Sequence, residues 1–290
     1  MAIELTAGGA RVTILPEYGG RLHQLYVPLA AGSEPLLVAP NDPAEYALRP
    51  TRGGSFPMAP WPNRVRDGRF HWRGVDYGLR LEGKPHAIHG RVLNVPWQVV
   101  ARTRTVCEMS VDFDEGWPWQ GRAWQRYALG PDSLRMKMEV RAARGPFPAG
   151  CGWHPWFRRH LPGGADIRVT VPAARRYVLD GQIPTGECVP PKGAHDLTSG
   201  APLGDRRLDD CYASLDGPIL IDWGKLALTM DIRCDEPHVM VYTPPEAVCI
   251  EPQTCAPDAF NLAERGFEGT GFAVAEPGRP VSIGSTWRWG

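Results

Sequence analysis

The sequence predicts an all-β protein of antiparallel strands. Three observations carry that reading: apolar and polar residues alternate with a period of two, glycine and proline punctuate the intervals, and no long stretch sustains a helical period. Over residues 107–113 the apolar side chains are Cys107, Met109, Val111 and Phe113, with Glu108, Ser110 and Asp112 opposite them. Residues 134–141 and 226–233 repeat the pattern, and each of the three segments reads as a strand with one wet face. Shorter strand candidates are 11–15, 22–27, 124–129, 167–171, 239–243 and 248–251. The best helix candidate is 42–48, with Asp42 as N-cap and Pro43 at the first helical position. Many strands joined by turn-forming residues, without alternating helices, argue for a sandwich or a barrel and against an α/β fold. No internal repeat or low-complexity linker is visible, so one domain over residues 1–290 is expected.

Composition narrows the function classes. Lysine plus arginine equals aspartate plus glutamate at 32 each, so no net field attracts polyanions and nucleic acid is not an expected partner. The first residues lack a basic segment followed by an apolar run, and nowhere do about 18 apolar residues run together. No membrane partner and a cytoplasmic location are therefore expected, for a monomer or a homodimer. Seven scattered cysteines without a CxxC pair fit reduced, mostly buried thiols rather than a disulfide framework or a zinc site. The 33 Gly, 30 Pro and 11 Trp mark a chain with many turns and large aromatic surfaces.

Four segments combine polar functional groups with Gly, Pro and Trp. In residues 53–74, Asn63 and Arg64 follow two prolines in a loop, where an arginine offers several fixed donors to neighbouring hydroxyls. In HAIHG (86–90), His89 directly precedes glycine, which lets backbone approach a ligand closely. His86 and His89 lack a supporting cysteine or carboxylate set, so no metal is expected. In CGWHPWF (151–157), His154 stands between tryptophan and proline in a rigid, partly dry setting where its proton affinity is tunable, and the tryptophans offer faces for the C–H side of a pyranose. In VCIEPQTCAPDAFN (248–261), Glu251 ends an apolar run and is expected at the inner rim of a sheet, partly desolvated and so a better base. The acidic pair Asp209 and Asp210 of LDDCY carries little weight alone.

In chain order, NR, HG, GWHPWF, DDCY and EPQT with PDAFN together resemble the aldose 1-epimerase (galactose mutarotase-like) family. The resemblance implies a large antiparallel β-sandwich with an open sugar site on one concave sheet and no cofactor. It implies that Arg64 and His89, with Asn63 alongside, hold sugar hydroxyls, that His154 is the acid, that Glu251 is the base, and that Asp209 binds substrate. Asp209 is preferred to Asp210 because it lies three residues before the aromatic Tyr212. Two departures bear on the sugar. The galactose-acting branch commonly has glutamine where this chain has Met240, two positions before Tyr242, and it surrounds its acid histidine differently from GWHPWF.

The implied reaction interconverts the α and β anomers of a free aldohexose, with Glu251 taking the C1 hydroxyl proton and His154 giving one to the ring oxygen. Free groups titrating near ~6.5 and ~4.3 would give a bell-shaped pH profile, with its limbs shifted by burial. Three alternatives stay open: a hexose-phosphate mutarotase using Arg64, Arg66, Arg69 and Arg91; a non-catalytic sugar-binding module; and a glycosidase pairing Asp209 with Glu251.

Overall fold

The three alternating segments fold as the strands Val106–Asp112, Ser133–Ala142 and Ala227–Arg233 in the computed structural model, which describes residues 1–30 and 32–290. The shorter candidates also form strands, among them Arg21–Leu29, His238–Tyr242 and Ala247–Gln253. In Ser133–Ala142 the residues Leu134, Met136, Met138 and Val140 are buried, while Arg135, Lys137 and Arg141 face water. Glu139 departs from the wet face: it is buried, gripped by Lys137 at 2.6 Å and Arg141 at 2.7 Å.

Among the described residues the strands assemble into an 11-stranded and an 8-stranded sheet, both antiparallel and neither closed into a barrel. The molecule is a large antiparallel β-sandwich. The middle of the larger sheet runs Ser55–Met58, Gly152–Arg158, Ala247–Gln253, His238–Tyr242 and Asp209–Leu215, in that spatial order. Its inner face contributes Val12, Leu25, Trp153, Phe157 and Ile250 to the main core, and the smaller sheet contributes Met109, Met138, Ile283 and Trp287. Phe157 and Trp287 meet across the two sheets with ring centroids 5.0 Å apart. Trp153 Nε1 donates to Gln125 Oε1 at 3.3 Å, tying the larger sheet to the smaller one.

The strands Gly152–Arg158 and Ala247–Gln253 are buried on both faces, so their sequences read as continuous rather than alternating runs. The pleat still sorts them. Trp153, Phe157, Val248 and Ile250 enter the main core, while Trp156 and Cys249 join Phe56 and Met58 in a second cluster on the opposite face. Glu251 therefore lies inside its strand, which runs on to Gln253, and not at the rim of the sheet as expected. Pro155 and Pro252 lack an N–H, and the register between these two strands skips from Gly152↔Gln253 to Trp156↔Cys249.

The helix expected over 42–48 is shorter, spanning Glu45–Leu48. Asp42 caps the preceding turn, its Oδ1 accepting the Ala44 N–H at 2.9 Å. A second helix, Ala259–Glu264, has no counterpart in the sequence reading. All seven cysteines are unpaired. No helix among the described residues is long and apolar enough to cross a membrane.

Trp153→Ala should cost about 3–5 kcal/mol, because it empties a large inter-sheet position and removes the hydrogen bond to Gln125. Urea unfolding of the variant and the wild type measures this. A loss below about 1 kcal/mol would mean that the sheets do not pack through this residue.

Candidate active site

On the outer face of the larger sheet, a cavity of about 440 Å³ is lined by Asn63, Arg64, His89, His154, Asp209 and Glu251. The six residues expected at the sugar site are thus gathered in one place. His154 and Glu251 occupy facing positions on adjacent strands, and His154 Nε2 stands 3.1 Å from Glu251 Oε1. Both are nearly inaccessible, at 5% and 2% exposure.

Aromatic rings fix the His154 imidazole. Phe56 stacks on one face at 4.6 Å and Trp156 lies almost parallel at 5.6 Å, while His89 meets the ring edge-on at 5.3 Å. Behind Phe56, Arg21 is fully buried with no carboxylate partner among the described residues. Its guanidinium instead donates to the carbonyls of Gly53 (2.8 Å), Arg52 (3.1 Å) and Pro50. Burial pushes Arg21 down to about 10, so it remains a cation at neutral pH.

Burial moves both members of the central pair away from their charged forms. It pushes His154 down to about 3, with the Arg21 and Arg64 charges acting in the same sense. It drives Glu251 well above the usual carboxylate range; Asp209 adds to that shift and Arg64 opposes it. Both shifts run toward the uncharged forms of a pair whose nearest atoms are 3.1 Å apart. The two groups titrate as a unit, not as an isolated acid and an isolated base.

The remaining groups come from turns and strand ends. Asn63 and His89 both have left-handed backbones (φ 51 and 62), and the His89 N–H donates to the Asn63 carbonyl at 2.8 Å. Gly90 follows with φ 76, and any side chain there would strike Ala59, whose carbonyl a Cβ would approach to 2.0 Å. Burial, then the charges of His154, Arg64 and Lys84, hold His89 well below its ordinary proton affinity, which makes it a neutral hydrogen-bonding group. Arg64 Nη1 donates to Asn63 Oδ1 at 3.1 Å, and its Nη2 lies 4.0 Å from Asp209 Oδ2.

Strand alternation separates the acidic pair. Asp209 lines the cavity with its side chain 35% exposed, and Gln182 Nε2 donates to its Oδ2 at 3.4 Å. Asp210 points the other way, to Arg176 at 3.0 Å and His195 at 2.7 Å. Thr243 secures the approach to Asp209, donating to the Arg206 carbonyl and accepting the Leu208 N–H.

Of the four arginines considered for a phosphate, only Arg64 enters this cavity. Arg66 and Arg69 line a separate cleft, and Arg91 is engaged by Glu82 at 2.5 Å and Asp114 at 2.7 Å. His86 also lies outside the cavity, its Nδ1 accepting the Asp67 N–H at 3.0 Å. No cluster suited to a metal ion occurs among the described residues. Arg52, Lys84, Gln182 and Glu246 also line the cavity and were not anticipated. They stand on loops without a chemical motif, and the only signal nearby was the YTPPE run that contains Glu246. Met240 pairs in register with Glu251 and is buried beside it, presenting a thioether to the site face.

A family model described as Aldose 1-epimerase matches residues 1–279. Among curated relatives, the uncharacterised protein YphB of Escherichia coli is 26% identical over 231 residues, covering 74% of this chain and 78% of that protein. Galactose mutarotase of Rattus norvegicus is 31% identical over 153 residues, covering 49% of this chain and 44% of that protein. The solved structure of a galactose mutarotase-like protein from Clostridium acetobutylicum superposes with a TM-score of 0.86 at 19% identity, covering 100% of this chain and 95% of the other. An aldose epimerase homologue from C. elegans gives 0.85 at 19% identity, covering 100% and 98%. At these identities the structural likeness speaks for the fold.

Because the folded protein holds the Glu251 proton more tightly than the unfolded chain, the stability this group contributes is full below its ordinary value of 4.5 and is lost as pH rises above it. Glu251→Gln lacks that titration and should be more stable than wild type, by a margin that widens from pH 4.5 upward. Urea midpoints of both proteins across pH 4–8 would show this; a margin that does not change with pH would mean that Glu251 is ionised in the folded state.

Proposed function

The chain belongs to the aldose 1-epimerase family, and from that premise we propose that it is a mutarotase interconverting the α and β anomers of a free aldohexose by general acid–base ring opening and closure. One observation carries the proposal: an imidazole and a carboxyl group, both buried, stand 3.1 Å apart in a cavity lined with hydroxyl-binding groups. The anomeric hydroxyl and the ring oxygen are bonded to the same carbon, so a catalyst that exchanges protons with both needs its acid and base as close neighbours. The distance lies within the reach that proton transfer requires.

In the ring-opening step Glu251 takes the C1 hydroxyl proton and His154 gives a proton to the ring oxygen. The C1–O5 bond breaks, and the aldehyde turns about C1–C2. Reclosure on the other face reverses both transfers and restores the pair. Ring opening uses the proton that the pair already shares, placed on His154 as the sugar displaces the direct contact; the Arg64 charge stabilises the Glu251 carboxylate in that state while disfavouring the imidazolium. Arg64, neutral His89, Asn63 and Asp209 hold ring hydroxyls, and Trp156 offers a flat wall to the C–H face. No cofactor enters these steps. A non-catalytic binder has no use for a buried acid–base pair, and a glycosidase pair of Asp209 with Glu251 leaves His154 without a role.

Met240 stands where a galactose-acting site has a glutamine, so the proposal is not restricted to galactose. A phosphorylated hexose is the second reading. The observation that supports it is Lys84, which lines the cavity and has no ion-pair partner among the described residues. Inhibition of free-sugar turnover by hexose 6-phosphate would favour it.

Polarimetry or NMR of freshly dissolved α-glucose and α-galactose tests the main reading. His154→Ala and Glu251→Ala, both folded, should each lose ~10²–10⁴-fold in anomer exchange. Retention of most of the activity in either would exclude the assignment. The active pair carries one proton, so activity falls as a second proton reaches His154 near about 3 and as the last one leaves Glu251, well above 4.5. The acid limb of the pH profile should therefore lie below the interval between free glutamate and free histidine, after subtraction of the spontaneous rate. A narrow bell confined to that interval would show two independent groups.

A further inference from the structure

The turn that follows the strand Ala247–Gln253 carries a carboxylate for which the chemistry above has no use. Asp258 is 1% exposed, and its backbone is left-handed at φ 56, directly before the helix Ala259–Glu264. Its polar groups are directed at the segment that bears Arg64. The Asp258 N–H donates to the Arg64 carbonyl at 2.6 Å. Its Oδ1 accepts the Arg66 N–H at 2.8 Å and Asn261 Nδ2 at 2.7 Å. Asn261 Nδ2 also donates to the Arg69 carbonyl at 2.9 Å, which extends the grip along the same segment. On its other edge, Arg64–Val65 is paired with Ala87–Ile88, the strand that leads into His89.

The chemistry of this position favours aspartate. Left-handed backbone is tolerated by Asp and Asn far better than by branched or bulky residues. A carboxylate oxygen accepts two N–H donors at once, and such bonds are stronger and more directional than neutral ones. The backbone that follows Arg64, from the carbonyl of residue 64 to the amide of residue 66, is therefore held by one buried residue.

We propose that Asp258 is the positioning residue for Arg64: it fixes the backbone from which the guanidinium reaches toward Asp209 and Glu251, and thereby sets sugar affinity. The proposal rests on the mutarotase reading, which assigns Arg64 to the sugar. Asp258→Gly leaves the left-handed conformation accessible while removing the carboxylate, and Asp258→Asn keeps an oxygen acceptor. Losing these charge-assisted bonds should raise KM roughly tenfold in Asp258→Gly with kcat changed by less than about threefold, and Asp258→Asn should restore most of the loss. In an Arg64→Ala background, Asp258→Gly should add no further rise in KM. A rise that multiplies with the Arg64→Ala effect would show a merely structural role and overturn the proposal.

A second readout needs no turnover. In the sugar-free protein the Arg64 Nε–H NMR signal should be sharp in wild type and broadened in Asp258→Gly, with the buried Arg21 Nε–H unchanged as an internal reference. Absence of mutarotase activity in wild type would defeat the functional reading, whereas an unchanged Arg64 signal in the variant would defeat the clamp. If Asp258→Gly does not fold, Asn261→Ala removes the outer part of the same network and should raise KM in the same direction; unaltered KM there overturns the proposal.

Discussion

Two titratable side chains in a dry setting, His154 and Glu251 at 3.1 Å, are the constraint around which the rest of the structure is arranged. Neither group can hold its charge alone at that depth, because burial disfavours imidazolium and carboxylate alike. Together they need only one proton between them. Such a pair is stable without sugar and one proton transfer from its ionic form, which is a useful state for a site that must give and take a proton in the same step.

Holding the pair requires rigidity on every side. Adjacent central strands set its separation, and Phe56 and Trp156 both stack on the imidazole. The buried Arg21 cation gathers the carbonyls of the 50–53 loop and so fixes the wall behind Phe56. The hydroxyl-binding groups are supplied differently. Asn63 and His89 lie on left-handed turns linked by a backbone hydrogen bond, and Asp209 lies at the start of a strand. Stiff strands thus carry the proton-transfer groups, and loops carry the groups that meet the periphery of a ligand.

Legibility in the sequence followed the physics of exposure. Strands with one wet face, such as Ser133–Ala142, announced themselves by alternation, whereas Gly152–Arg158 and Ala247–Gln253 are covered on both faces and lack that signal. For the same reason Glu251 looked like the end of a run: a charged residue in an apolar strand marks a boundary unless a partner on the next strand makes it tolerable. The helix Ala259–Glu264 went unseen because six residues are too few to develop a helical period. The cavity residues Arg52, Lys84 and Gln182 had no local signature at all, since only the folding of distant loops brings them to the sheet.

The sequence by itself determined the fold class, the strands with one exposed face, and the short motifs holding Arg64, His89, His154, Asp209 and Glu251. Those properties are local, set by side-chain period, turn chemistry and residue type. The tertiary structure alone decided which of Asp209 and Asp210 faces the cavity, which arginines enter it, and that both members of the central pair are driven away from their charged forms. These depend on strand register and on the depth of burial, and both arise from contacts between segments far apart in the chain.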